Sequence, residues 1–96
     1  MALKTIRLDL AQYLETEADI AEFLAETARE GTEADFIHAL SIAARARGMT
    51  EVAQKAGVSR ASLYKSLSGD GNPEFDTVYR VCAALGVKLV PQAVHA

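Results

Sequence analysis

This chain has a single cysteine, no long apolar run and none of the compact motifs that mark common enzymes. One cysteine excludes an intramolecular disulfide and a multi-cysteine zinc site. No apolar stretch approaches the roughly 18 residues a membrane helix needs, and MALKTIRLDL lacks the apolar centre of a secretion signal. A cytoplasmic protein with no membrane partner is therefore expected. There is no GxSxG, no phosphate-binding P-loop, and no carboxylate pair set for acid–base work. His38 and His95 are far apart and lack a ligand cluster, so no metal site is expected. Asp70-Gly71-Asn72 starts like a calcium loop but lacks its later ligands and closing Glu, and reads as a turn. Neither an enzyme nor a cofactor is expected. Positive charge is also scarce, with ten Lys and Arg against thirteen Asp and Glu.

What is present is enough for one folded domain. The chain has 96 residues, half of them apolar and about a quarter charged, as in ordinary globular domains. The net charge of −3 is unevenly divided. Residues 1–44 hold three basic and nine acidic groups, a net −6, whereas residues 45–96 hold seven and four, a net +3. Such asymmetry suggests two surfaces with different partners, although acidic helix faces can equally serve solubility alone.

Apolar periodicity predicts an all-α fold of five helices with short strand-like arms at both ends. Thr5–Leu10 alternates, with Ile6, Leu8 and Leu10 on one side, and reads as a short strand or extended arm. Thr16 with Asp19 forms a capping-box pattern ahead of a helix whose inner stripe is Ile20, Phe23, Leu24, Thr27 and Ala28, ended by Gly31. Thr32 caps a second helix with Phe36, Ile37, Leu40, Ala43 and Ala44 inward, ended by Gly48. Two short helices are expected near 49–56 and 59–68, the second capped by Ser59. SGDGNP is a turn-rich linker. A last helix near 74–85 turns Val78, Val81, Cys82 and Leu85 inward, and Val87–Val90 reads as a short strand stopped by Pro91. Cys82 is expected to be a core thiol.

MTEVAQKAGVSRASLYKSLSGDGNP, residues 49–73, carries the most specific local pattern. Two helices crossing steeply over a short turn need a small residue at their closest approach, which Ala53 supplies. They also need a residue tolerant of positive φ, which Gly57 supplies. Val58 and Leu63 then fill the angle. Ser66 stands where such units usually carry an apolar residue, with Leu67 beside it, so the second helix is expected to end slightly rotated. Its outward residues would be Ser59, Arg60, Ala61, Ser62, Tyr64, Lys65 and Ser68. Small side chains at its start would let it enter a DNA groove, and Arg60 could read guanine through two hydrogen bonds. Lys55, Arg45, Arg47 and Lys65 are placed for phosphates, and residues 45–65 carry five positive charges against Glu51 alone. Tyr64 has two readings, a stacking contact in the groove or an anchor on the last helix.

The spacing of Ala53, Gly57 and Leu63 resembles the DNA-binding helix-turn-helix of Cro and phage-repressor regulators. Over about residues 13–89 the chain further resembles addiction-module antidotes of the HigA type. The resemblance is carried by YL at 13–14, AL at 39–40, ARARGM at 44–49, VAQKAGVSRASLYKSLSGDGNPEFDTV at 52–78 and ALGVKL at 84–89. It implies an antitoxin that neutralises a small basic toxin of the RelE/ParE superfamily and represses its own operon as a homodimer on operator DNA. A stand-alone repressor without a toxin, and a protein-interaction adaptor with an incidental basic helix, are the alternatives.

Within the single domain, residues 1–35 are the expected toxin or dimer surface, 36–86 the DNA-binding core and 87–96 a C-terminal strand and tail. Toxin contacts are expected at Glu15, Asp19, Glu22, Phe23, Glu26 and Glu30. Ile6–Leu10 and Val87–Val90 are candidate dimer contacts.

Overall fold

The computed structural model describes residues 13–69 and 72–94. Five helices follow one another: α1 (Glu17–Glu30), α2 (Glu33–Arg47), α3 (Met49–Ala56), α4 (Arg60–Ser66) and α5 (Phe75–Ala84). The fold is all-α, and no strand occurs among the described residues.

Three of the five helix starts, those of α1, α2 and α4, carry a side-chain cap. Thr16 Oγ1 accepts from the Asp19 amide at 3.1 Å, while Asp19 Oδ2 accepts from the Thr16 amide at 3.2 Å. Thr32 and Asp35 repeat this reciprocal cap at the start of α2, at 3.2 and 2.9 Å. Ser59 Oγ accepts from the Ser62 amide at 3.0 Å and so starts α4. These caps satisfy donors that have no partner inside a helix.

Three helices end at a glycine with positive φ; besides Gly48 after α2, at φ 106, two ends close in a shared way. At the end of α3 the Val58 amide donates to the Ala53 carbonyl and the Gly57 amide to that of Gln54, with Gly57 at φ 76. At the end of α5 the Val87 amide donates to Cys82 and the Gly86 amide to Ala83, with Gly86 at φ 79. Both are paired 6→1 and 5→2 closures around a left-handed residue, where a Cβ is disfavoured.

The helices enclose one core. α1 and α2 form an antiparallel hairpin, α3 packs on α2, α4 and α5, and α5 also touches α2. Leu14, Ile20, Leu24, Leu40, Val52, Leu63, Val81, Cys82 and Leu85 are fully buried. Ala39, Ala43, Ala44, Ala53 and Ala56 are buried too, and their small side chains permit close helix approach. Full burial of each large aliphatic side chain stabilises by about 1.5–3 kcal/mol before entropy is counted.

The inward stripes follow expectation in part: in α2 Leu40, Ala43 and Ala44 are buried as expected, Phe36 and Ile37 only half so, and Ala39 and Ser41 are buried as well. Phe23 and Thr27 are half-buried and Ala28 is exposed, so the buried stripe of α1 is narrower than its periodicity suggests. Leu67, one residue beyond α4, is buried while Ser66 is only half-buried. Leu67 therefore takes the closing position in place of Ser66.

The expected C-terminal strand is not formed. Val87 and Leu89 are half-buried and Lys88 and Val90 exposed, so the alternation is real, but no ladder partner lies beside them among the described residues. Period-two burial arises equally in an extended segment laid on helices, and strand status requires a second backbone. The Thr5–Leu10 arm lies outside the described residues.

Candidate nucleic-acid interface

α4 is held to α3 by the Gly57 turn and by Leu63, so its other side is left exposed. Ser59, Arg60, Ala61, Ser62, Tyr64, Lys65 and Ser68 are all exposed there. Ser68 Oγ donates to the Lys65 carbonyl at 2.9 Å and closes the helix end.

Three of the expected residues form a cluster drawn from two helices. The Arg45 guanidinium, from the last turn of α2, lies 5.6 Å from the centre of the Tyr64 ring, and that of Arg60 lies 5.5 Å from it. Arg60 also donates to Tyr64 Oη at 3.4 Å and to Thr50 Oγ1 at 3.3 Å. Tyr64 thus packs with arginines on the exposed face, and its hydroxyl is engaged by Arg60. The hydrogen bond from Arg60 lowers the phenol pKa below its ordinary value, against the opposing effect of burial and aided by the nearby charges of Arg60 and Arg45. Thr50 belongs to this cluster and was not expected. It stands ten residues before Arg60, and no local pattern in the chain singles it out.

The remaining cations differ in their settings. Lys55 pairs with Glu51 at 3.1 Å across one turn of α3, with both side chains about half exposed. Exposed pairs of this kind are weak, so Lys55 stays available to another anion. The Arg47 guanidinium donates to the Glu15 carbonyl at 3.1 Å, fastening the segment before α1 to the end of α2. Residues two apart on a helix face about 200° apart, so Arg45 and Arg47 serve different surfaces.

The acidic half divides in a similar way. Glu17, Asp19, Glu33 and Asp35 lie in the first turns of α1 and α2, where carboxylates favour the positive helix end. Asp19 Oδ2 is taken up by the amides of Glu15 and Thr16, and Phe23 packs half-buried on the core. Glu15, Glu22, Glu26 and Glu30 are exposed, and no ion pair engages them among the described residues.

A cavity of about 820 Å³ lies between α1, Phe36 and residues 86–94, and shares no residue with the basic face. No cluster of His, Cys, Asp or Glu able to hold a metal occurs among the described residues. No helix among them is long and apolar enough to cross a membrane.

Residues 4–93 match a family described as "Probable addiction module antidote protein". The chain belongs to this family. An antidote implies a toxin as its partner, and the match takes in both the basic face of α4 and the acidic face of α1. A relative of this antidote, an uncharacterised protein of Haemophilus influenzae (strain Rd), is 43% identical over 84 residues, covering 88% of this chain and 87% of its own. No solved structure matches the antidote chain with significance.

Proposed function

We propose that this antidote acts as a HigA-type antitoxin: it neutralises a small basic toxin of the RelE/ParE superfamily and represses its own operon as a homodimer. It works by binding and not by catalysis. The observation that carries the DNA reading is the clustering of Arg60 and Arg45 around Tyr64 on the exposed side of α4, with Lys65 exposed on the same helix and Lys55 on the preceding one. Guanidinium groups suit base edges and phosphates, and a short helix exposed on one side suits the major groove. The acidic charge that makes the total negative lies mainly on α1 and the start of α2, so the field near α4 is basic. One helix makes few base contacts, and a dimer reading two half-sites about one helical turn apart supplies the rest.

The test is equilibrium binding to double-stranded DNA from upstream of the gene, at several salt concentrations, beside a scrambled duplex. The operator should bind more tightly, and its affinity should fall steeply with salt. The product of the neighbouring reading frame should co-purify with the antidote, and sedimentation at micromolar concentration should report a dimer. Salt-insensitive or absent DNA binding refutes repression; failure to capture the neighbouring product refutes the toxin pairing.

A further inference from the structure

Arg60 is the outward residue best suited to read a base, yet arginine is long, and an unrestrained guanidinium loses much rotamer freedom on binding. Here it is not unrestrained. Its Nη1 donates to Thr50 Oγ1 at 3.3 Å and its Nη2 to Tyr64 Oη at 3.4 Å. The two acceptors come from different helices, α3 and α4, which share the fixed Gly57 turn. Both hydroxyls are uncharged, so they orient the group without neutralising it. Two of the five guanidinium N–H donors are used, which leaves three for a ligand. Arg45 lies near the same ring and adds charge, with no hydrogen bond to Arg60.

We propose that Thr50 and Tyr64 are positioning residues for Arg60, and that their hydroxyls hold its guanidinium ready for a guanine edge in the major groove. This inference rests on the DNA-binding reading above and assigns its sequence discrimination to a preset side chain. Neither residue needs to touch a base. The lowered phenol pKa agrees with a hydroxyl that accepts from a cation.

The test compares Tyr64→Phe, Thr50→Val and Thr50→Ser with the wild type. Each is titrated with the upstream duplex and with a scrambled duplex of equal composition. Thr50 and Tyr64 are both exposed, and Phe keeps the ring, so folding should survive and circular dichroism should confirm it. Tyr64→Phe and Thr50→Val should each lower operator affinity about threefold to tenfold, the usual effect of one lost hydrogen bond. For Thr50→Val the scrambled-duplex affinity and the salt slope should stay unchanged, and Thr50→Ser should restore the wild-type value. On operators carrying single G·C to A·T changes, the most damaging change for the wild type should cost the two variants less. Equal losses on both duplexes, or no loss on either, overturn the positioning role. A wild type that fails to prefer its operator overturns the DNA reading, and the positioning role with it.

Discussion

Glu17 lies against Gly86, joining the start of α1 to the end of α5: a Cβ added at Gly86 would stand 2.5 Å from Glu17 Cδ and 2.6 Å from Oε2. The carboxylate is the exposed, flexible end of its side chain and can swing aside. The backbone cannot, because Gly86 sits at φ 79 and closes α5. Gly86→Ala should therefore destabilise by about 1–2 kcal/mol, read as a lower urea midpoint at unchanged slope. The same penalty should persist in a Glu17→Ala background. Its disappearance there would assign the cost to the clash.

Cys82 gives a pH-dependent test of the core. It is 1% exposed, and burial raises its thiol pKa from an ordinary value near 9 to about 11. Between those values the unfolded chain holds fewer protons than the native one, so stability falls as pH rises. Other groups titrate in this window, so the measure is the difference between wild type and Cys82→Ala. That difference should move against the wild type from about pH 9 to about 11. Thiol reagents at pH 8 should modify Cys82 only after denaturant is added. Rapid native modification would place the thiol outside the core.

For the basic face, Arg60→Ala should relax base preference and cost about 1–3 kcal/mol on the operator. Lys55→Ala should weaken all DNA about equally and reduce the salt slope by about one. The Lys55–Glu51 pair at 3.1 Å does not alter this expectation, since such an exposed pair is easily exchanged. Uniform, sequence-independent losses from both substitutions would show that α4 is not the reading helix.

The acidic face of α1 invites the opposite substitution. Glu22 and Glu26 stand one turn apart and exposed, whereas Asp19 is occupied by its cap. Reversing Glu22 and Glu26 to Lys should slow toxin association markedly, because complementary charge acts mainly on the encounter rate. Operator binding should persist. Unchanged toxin association, measured by surface plasmon resonance, would move the search to residues 87–94.

Local signals were the most legible part of the chain. Thr16 with Asp19, the Thr32 start of α2, Ser59, and the glycines at 31, 48, 57 and 86 set the helix limits through chemistry contained within a few residues. The α3–α4 turn was legible for the same reason, since Ala53, Gly57 and Leu63 act over one short span. What could not be read depends on residues brought together from afar. Thr50, Arg45 and Arg60 meet around Tyr64 only because α2, α3 and α4 pack as they do. The hydrogen bond from Arg47 to the Glu15 carbonyl, 32 residues back, had no signal in the sequence. Val87–Val90 alternates like a strand, and only the absence of a neighbouring ladder among the described residues separates it from one.

The last turn of α2 carries two grips of opposite direction. Arg45 reaches the Tyr64 ring, and Arg47 holds the Glu15 carbonyl 32 residues back along the chain. A partner that pulls Glu15 away from Arg47 therefore acts on the same turn that presents Arg45 to the α4 face. If such a partner changes operator affinity by some factor, thermodynamic reciprocity requires the operator to change that partner's affinity by the same factor. The Glu15 carbonyl is one contact through which such a coupling would pass.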